Sequence, residues 1–539
     1  MKKILLSLMV LGGLVTSCNM DLEPIGSILD EVSVESATDC ENFRNAFYGN
    51  IRALSTGGYI YYTEMQMDMF NGTVMNGNRV GSLSNGVILS GDGDIESIWG
   101  GLFGAVANTN YLFPRAQMLL DDPETSTTDR ELIKRYVAEG HFARAYYYYW
   151  LLDHFCPSYS SENANELVGL PLVTEYYPTA EKQYYPGRAT LAETYKFIED
   201  DLAAAYDGIK FFEENFEDIA VADAREEEKS AAQEDARNQI SLMLTQNAPY
   251  LSSWAVRALQ ARVALLKGDN QTAAKYAEEV INCGIWQLDA TGLLASNSYT
   301  RLWTTDAGKE LIFRPISSAG ELGISSTGGG WIAVAETQAD YIPTSYVINE
   351  LYGGRNSKDG RRAAFLRTQS LLYEGRLVDD VYCFSKFPGN PDLNSNPENP
   401  LLLNMAKPFR LSEMYLIAAE AYQVLGNEEN ANKYLNDIRK ARIRQYQETS
   451  YTSTTLRDEI RLERTREFLG EGFRMSDLRR WHLGFSRSID YPLNPGVAAL
   501  VKPSSRVSYQ PDDYRYVWPI PSTEIQVNPQ MAGQQNRGY

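Results

Sequence analysis

The chain is 539 residues long, 44% hydrophobic and 12% aromatic, with 70 acidic against 50 basic side chains and a formal charge of −20. That length buries a large core and fits two or more structural units, while the acidic balance argues against nucleic-acid binding, which runs on Lys and Arg neutralising phosphates. Three histidines (His141, His154, His482) without an HxxH or HExxH spacing supply a His-based zinc site or a Ser/His/Asp triad poorly, and five cysteines without a CxxC pair argue against a zinc ribbon or a thioredoxin-like motif.

At the start, Lys2 and Lys3 precede an apolar stretch from Ile4 to Val15. It is too short to span a bilayer and suits the core of a signal peptide. The stretch ends in "LVTSC" (Leu14–Cys18), which resembles a bacterial lipobox and implies diacylglycerol on the Cys18 thiol with cleavage before it. Residues 1–17 then read as a lipoprotein signal peptide and 18–24 as a lipid-anchored tether. Outside the inner membrane disulfides are permitted. Cys40, Cys156, Cys283 and Cys383 allow three pairings or none, and spacing does not choose among them.

Farther along, "DGDIE" (Asp92–Glu96) faintly resembles a calcium loop, but it lacks the glycine at loop position six and the acidic residue at twelve. The resemblance is therefore weak: no cofactor is expected, and a structural calcium is the one candidate. Periodicity predicts helices over Glu131–Phe155, Leu191–Tyr206 and Leu456–Leu469. The first contains "HFARAYYYYWLLDHF" (His141–Phe155). Five consecutive aromatics on a helix point all round, so they cannot form one flat stacking face and are expected inside. The acidic run Glu213–Asp235 reads as solvated helix faces or loops.

Two segments repeat each other, Leu259–Ile281 and Ile417–Arg439. Setting Gly268 on Gly426 aligns Ala261 with Ala419, Asp269 with Asn427, Ala273 with Ala431 and Tyr276 with Tyr434. Gly followed by Asp or Asn ends one helix and caps the next, and the small alanines let two helices approach closely. This is the tetratricopeptide pattern, so the fold class is mainly α, a helical solenoid. Between the repeats, Trp286 to Leu403 is rich in Gly, Ser, Asn and Pro with short strand-like pieces such as "ELIFRPI". It reads as long loops with some β structure packed on the solenoid.

The C-terminal region carries "RLERTREFLGEGFRMSDLRRW" (Arg461–Trp481) and "WPIPSTEIQVNPQMAGQQNRGY" (Trp518–Tyr539). Together with "GLPLV" (Gly169–Val173), "DGRR" (Asp359–Arg362), "AAEAY" (Ala418–Tyr422) and the lipobox, these resemble the SusD/RagB family of outer-membrane nutrient-binding lipoproteins. The match runs nearly end to end. It departs at Met475, where the family often has an aromatic, at Thr465, where it often has Arg, and at the insertion-like "CPSYSSENANELV" (Cys156–Val168). On this reading residues 25–285 are an N-terminal SusD-like helical region, 286–403 a loop-rich candidate ligand surface, and 404–539 the C-terminal region with an extended tail. Glu463, Arg464, Glu467, Glu471, Arg474, Asp477 and Arg480, at helical spacings, read as a charge network pinning their helix to the solenoid. The prolines of "PIP" and "NP" predict a tail strapped extended across the body.

The resemblance implies a glycan binder without a catalytic role, lipid-anchored in the outer membrane, facing outward and partnered by a SusC-like TonB-dependent transporter. The alternatives are a peptide-nutrient binder and a tetratricopeptide scaffold for protein partners. Sugars need exposed aromatics rigidly held on loops, with polar groups beside them. "STGGGWIA" (Ser326–Ala333) offers Trp331, "STGGYIYY" (Ser55–Tyr62) offers Tyr59 and Tyr61, and "FNGTVMNGNR" (Phe70–Arg79) offers Asn76, Asn78 and Arg79. Trp99, heading a helix, is expected in the core.

Overall fold

Short polar side chains open the long helices. In this computed structural model, which describes residues 34–55, 57–76, 82–291, 298–318, 324–325, 337–354, 357–393 and 403–539, α1 (Ala37–Leu54) starts on Ser36 and is followed by α2 (Gly57–Gln66). Asp92 caps α3 (Gly93–Asp121), and Ser126 caps α4 (Thr127–Phe155). Thr190 caps α5 (Leu191–Asp223) in a reciprocal box with Glu193, and α6 (Lys229–Ser241) follows. Each side-chain cap satisfies a first-turn N–H and is worth about 1 kcal/mol. Asp92 accepts from the Asp94 N–H at 3.0 Å, so the "DGDIE" stretch is a helix start. Cys18 lies outside the described residues.

The two sequence repeats are two helical hairpins. The first is α7 (Ser253–Lys267) with α8 (Asn270–Asn282); the second is α9 (Leu411–Val424) with α10 (Glu428–Arg442), and α11 (Ser453–Glu467) follows. Gly268 and Gly426 turn the chain at φ +80° and +75°, where a side chain would be strained. Asp269 and Asn427 then cap the second helices. Ala261, Ala273, Ala419 and Ala431 are fully buried, and α8 packs on α9. Tyr434 of the second hairpin donates to Glu278 of the first at 2.7 Å. The hairpins are therefore neighbours in one solenoid, which the chain leaves after α8 and rejoins at α9.

The aromatic row lies inside. Tyr147 and Tyr148 are fully buried, Tyr146 is nearly so, and Tyr149 and Trp150 keep under a tenth of their surface. Tyr147 donates to the Phe47 carbonyl, while Tyr148 donates to the Pro171 carbonyl and accepts from the Val173 N–H at 2.7 Å. The Tyr148 hydroxyl thus ties α4 to "GLPLV", and that of Tyr147 ties it to α1. Trp99 is buried edge-on against Phe155 at 4.9 Å between ring centres, as expected of a core residue. α5 runs past Tyr206 because Ile209, Phe212, Phe216 and Ala220 prolong its buried stripe. Most of the acidic run is the outer face of that helix and of α6; Glu213 turns in to accept from the Ser253 N–H and Oγ, and burial pushes its carboxyl up to about 6.

The strands form antiparallel pairs, among them β1 (Phe70–Gly72) with β2 (Tyr341–Pro343), and β3 (Leu366–Tyr373) with β4 (Arg376–Phe384). Cys40, Cys156, Cys283 and Cys383 carry free thiols. The tail crosses the body as a strap: Trp518 is buried with its indole N–H on Gln66, and Asn536 donates to the carbonyls of Phe155 and Trp518. It is not extended throughout. Ser522–Val527 coils into a short helix, since Pro521 fixes φ before the helix without removing any bond inside it.

Candidate functional site

A tight two-residue turn, Glu374-Gly375, joins β3 to β4, with φ of +48° and +74°. Such a turn matches the right-handed twist of a hairpin. Register breaks between Gln369 and Leu371, so that Asp379 and Asp380 together face Ser370 in a bulge. Asp380 sits at φ +58°, a conformation that a non-glycine residue adopts rarely. Ser370 donates to Asp379 at 2.6 Å, and the Asn494 amide donates to the Asp379 carbonyl at 3.0 Å. Bulges re-aim side chains beside binding sites. This one turns two exposed carboxylates toward a cleft of about 710 Å³.

Polar groups of Asn349 and Asn494 share the cleft with those carboxylates, and Leu377 and Leu493 stand exposed at its rim. Tyr382, half-buried on one wall, accepts from Arg362 at 2.8 Å, which also lies against its ring. Tyr491, on the floor, is buried; it donates to the Pro343 carbonyl and accepts from Asn71. Burial pushes its phenol up, so it stays a neutral donor. Under the cleft a satellite core of Ile342, Ile348, Leu371, Val381, Val497 and Leu500 packs with Met75 against it. Such a lining can bond hydroxyl groups: carboxylates accept, amides do both, and leucines offer apolar contact. The volume suits a ligand of small-molecule size.

Met75 and Thr337 bring the chain to this same region, just before residue 77 and just after residue 336. Thr73 bridges Val501, and the Thr337 carbonyl accepts from Leu372 of β3. The segment from Glu64 to Thr73 is held from beneath. Arg474 binds Asp68 through both carboxylate oxygens, Arg487 donates to the carbonyls of Met65 and Met67, and Asn71 donates to the Ser488 carbonyl. Glu64 accepts from the Gly472 N–H at 2.7 Å, and burial pushes its carboxyl up to about 7.

The family motif forms a buried charge lattice. Arg361 bridges Glu463 at 2.6 Å and Glu467 at 3.0 Å; Arg442 joins Glu467 to Glu310; Arg410 and Lys386 meet on Glu471. Burial alone would raise the Glu463 carboxyl, but Arg361 and Arg439 override it and hold it at about 2. Arg464 pairs with Asp477, and Arg480 spans Asp477 and Glu420. These carboxylates are engaged inside the fold, as a structural network requires. Unpaired, they would each cost several kcal/mol to bury.

The loop placement expected for two candidates fails. Tyr59 and Tyr61 belong to α2, because "GGYIYYTEMQ" continues as a helix into the core. Tyr61 is buried, donating to the Tyr341 hydroxyl at 2.6 Å, and the half-buried Tyr59 packs edge-on against Trp150 at 6.1 Å. Trp331, Asn78 and Arg79 lie outside the described residues. Asn76 closes a one-turn helix, Val74–Asn76, and its side chain lies outside the description. Asp379, Asp380 and Asn494 escaped the sequence reading. The signal was present in "YEGR" (Tyr373–Arg376), a hairpin turn between two apolar-rich stretches.

A family model described as "SusD family" matches residues 395–539, and one described as "Starch-binding associating with outer membrane" matches residues 28–233. A SusD superfamily structure from Bacteroides thetaiotaomicron is similar over 92% of this chain and 99% of its own, with 23% identity and a TM-score of 0.70. A laminarin-binding SusD-like protein is similar over 93% of this chain and 99% of its own, with 20% identity and a TM-score of 0.59. At such identities these likenesses show the fold. The SusD-like protein P25 of Formosa agariphila is 30% identical over 138 residues, 24% of this chain, and the chain spans about a quarter (24%) of that relative's length. Two family models on separate parts of the sequence, with a fold shared almost end to end, place the chain in the SusD/RagB family.

Proposed function

We propose that this protein is a non-catalytic glycan-binding lipoprotein, anchored through Cys18 in the outer membrane and facing outward. It captures oligosaccharide or polysaccharide and delivers it to a SusC-like TonB-dependent transporter. The observation that carries the reading is the cleft of about 710 Å³ floored by the β3–β4 hairpin, with Asp379, Asp380 and Asn494 as hydroxyl partners. The described chain just before residue 77 and just after residue 336 packs beside it, through Thr73 and Thr337. Support also comes from the family description matched over residues 28–233, which names starch binding and association with the outer membrane, and from the laminarin-binding protein of the same fold.

Affinity gels containing starch, laminarin, pectin, yeast mannan or mucin glycans test the reading on the soluble chain beginning after Cys18. Retardation by one of them, without new reducing ends on incubation, is the expected result. Absence of retardation by all five would overturn the glycan reading and favour a peptide nutrient. Recovery of a large β-barrel protein with the lipoprotein from native membranes tests the transporter pairing.

A further inference from the structure

A second cleft, of about 650 Å³, shares no residue with the first. It lies between the 156–168 stretch, the turn that follows helix Arg474–Arg480, and the C-terminal strap. The 156–168 stretch is where this sequence departs from the family motifs, and it supplies Tyr159 and Asn163 to the wall.

The cleft is built rather than left over. Tyr514 stands 43% exposed on its wall. Its ring is fixed from behind by Gly538, where even a methyl group would come within 2.3 Å of it, and by the edge of Tyr539 at 5.1 Å. That is the exposed, rigidly held aromatic that a sugar face requires. His482 and Asp512 also line the cleft, with Nδ1 and Oδ1 2.5 Å apart. Both are non-glycine residues in left-handed backbone, at φ +53° and +58°, and such strain gathers at ligand clamps. Deeper in, Arg479 is 95% buried, and its Nε–H has no partner among the described residues. Arg537, exposed on the same wall, has no carboxylate partner among them either.

We propose that this cleft is a second carbohydrate-binding site. Tyr514 and Tyr159 meet the C–H faces of a short oligosaccharide, and His482, Asp512, Asn163 and Arg537 bond its hydroxyls. The inference rests on the glycan-binding reading above and adds a second foothold on the same polymer. Two weak sites on one long chain raise apparent affinity far above either alone.

The test uses whichever of the five polysaccharides retards the wild-type chain, with Tyr514→Ala, His482→Ala and Asn494→Ala compared in the same gels. Either second-cleft substitution is expected to weaken retardation by about tenfold or more. The retardation that remains in Asn494→Ala should vanish when Tyr514→Ala is added. His482 is exposed, so His482→Ala keeps the test valid if Tyr514→Ala melts below wild type. Wild-type retardation in both second-cleft variants, with Asn494→Ala abolishing it, overturns the second site and leaves the function standing. A wild-type chain retarded by none of the five removes both readings together.

Discussion

Arg474 grips Asp68 through both carboxylate oxygens, at 2.8 and 2.7 Å, across 406 residues of sequence. The arginine belongs to the "EGFR" stretch of the C-terminal motif; the aspartate ends the approach to β1 and to the first cleft. Glu64 with Gly472 repeats the connection four residues earlier, from inside α2. The motif that identifies the family therefore does more than pin helices together: it fixes the segment that carries the candidate ligand loop.

Removing the arginine leaves the Asp68 carboxylate nearly buried and unpaired. Arg474→Ala is expected to lose about 3–5 kcal/mol of stability, read from denaturant titration. Hydrogen exchange should rise first over residues 68–76. A loss below about 1 kcal/mol would mean that the pair is solvated.

The tyrosine row is structural, so its loss should be felt in folding and not in recognition. Tyr147→Ala empties a fully buried site and is expected to cost about 3–5 kcal/mol. Gel retardation of the folded fraction should match wild type. Weakened retardation at equal folding would return the row to the ligand site.

Acid should dismantle the charge lattice. Glu463 and Glu420 are both held at about 2 despite their burial, the first by Arg361 and Arg439, the second by Arg480. Carboxyls depressed in the folded state contribute stability that is complete above their unfolded value, about 4.3, and is lost as pH falls toward 2. Thermal melting followed from pH 6 to pH 2.5 should therefore fall steeply below about pH 4.3. In Glu463→Gln the midpoint starts lower and the slope is shallower; an unchanged slope would contradict the assignment.

Asn494 and Asp379 hold the bulge and face the first cleft. Asp379→Ala, at an exposed position, is expected to change stability by no more than about 0.5 kcal/mol. It should weaken glycan binding by about tenfold, the worth of one charge-assisted hydrogen bond. Calorimetric titration with an oligosaccharide of the retained polysaccharide measures the second effect and melting the first.

Where local chemistry dictates structure, the sequence was legible. The Gly-Asp and Gly-Asn junctions at 268–269 and 426–427 mark helix ends by backbone conformation and capping, and both hairpins follow from them. Five aromatics in a row on a helix cannot share one face, and so they are core. Tyr59 and Tyr61 misled because two glycines suggested a loop, whereas the apolar and β-branched residues after them pack as a helix against Tyr341 and Trp150. Asp379 and Asp380 were invisible because a bulge is a register fault between two strands, and neither strand alone encodes it. The second cleft assembles segments around residues 160, 482, 514 and 537, a meeting that only the folded strap creates.

We propose that the glycan sits on the hairpin cleft, against β4 and residues 491–500. Hydrogen–deuterium exchange on the soluble chain, with and without an oligosaccharide of the retained polysaccharide, tests it most directly. The expected result is slowed exchange over residues 337–354, 376–382 and 491–500, with α8 and α9 unchanged. Protection confined to α8 and α9 would contradict the account and make the solenoid face the binding surface.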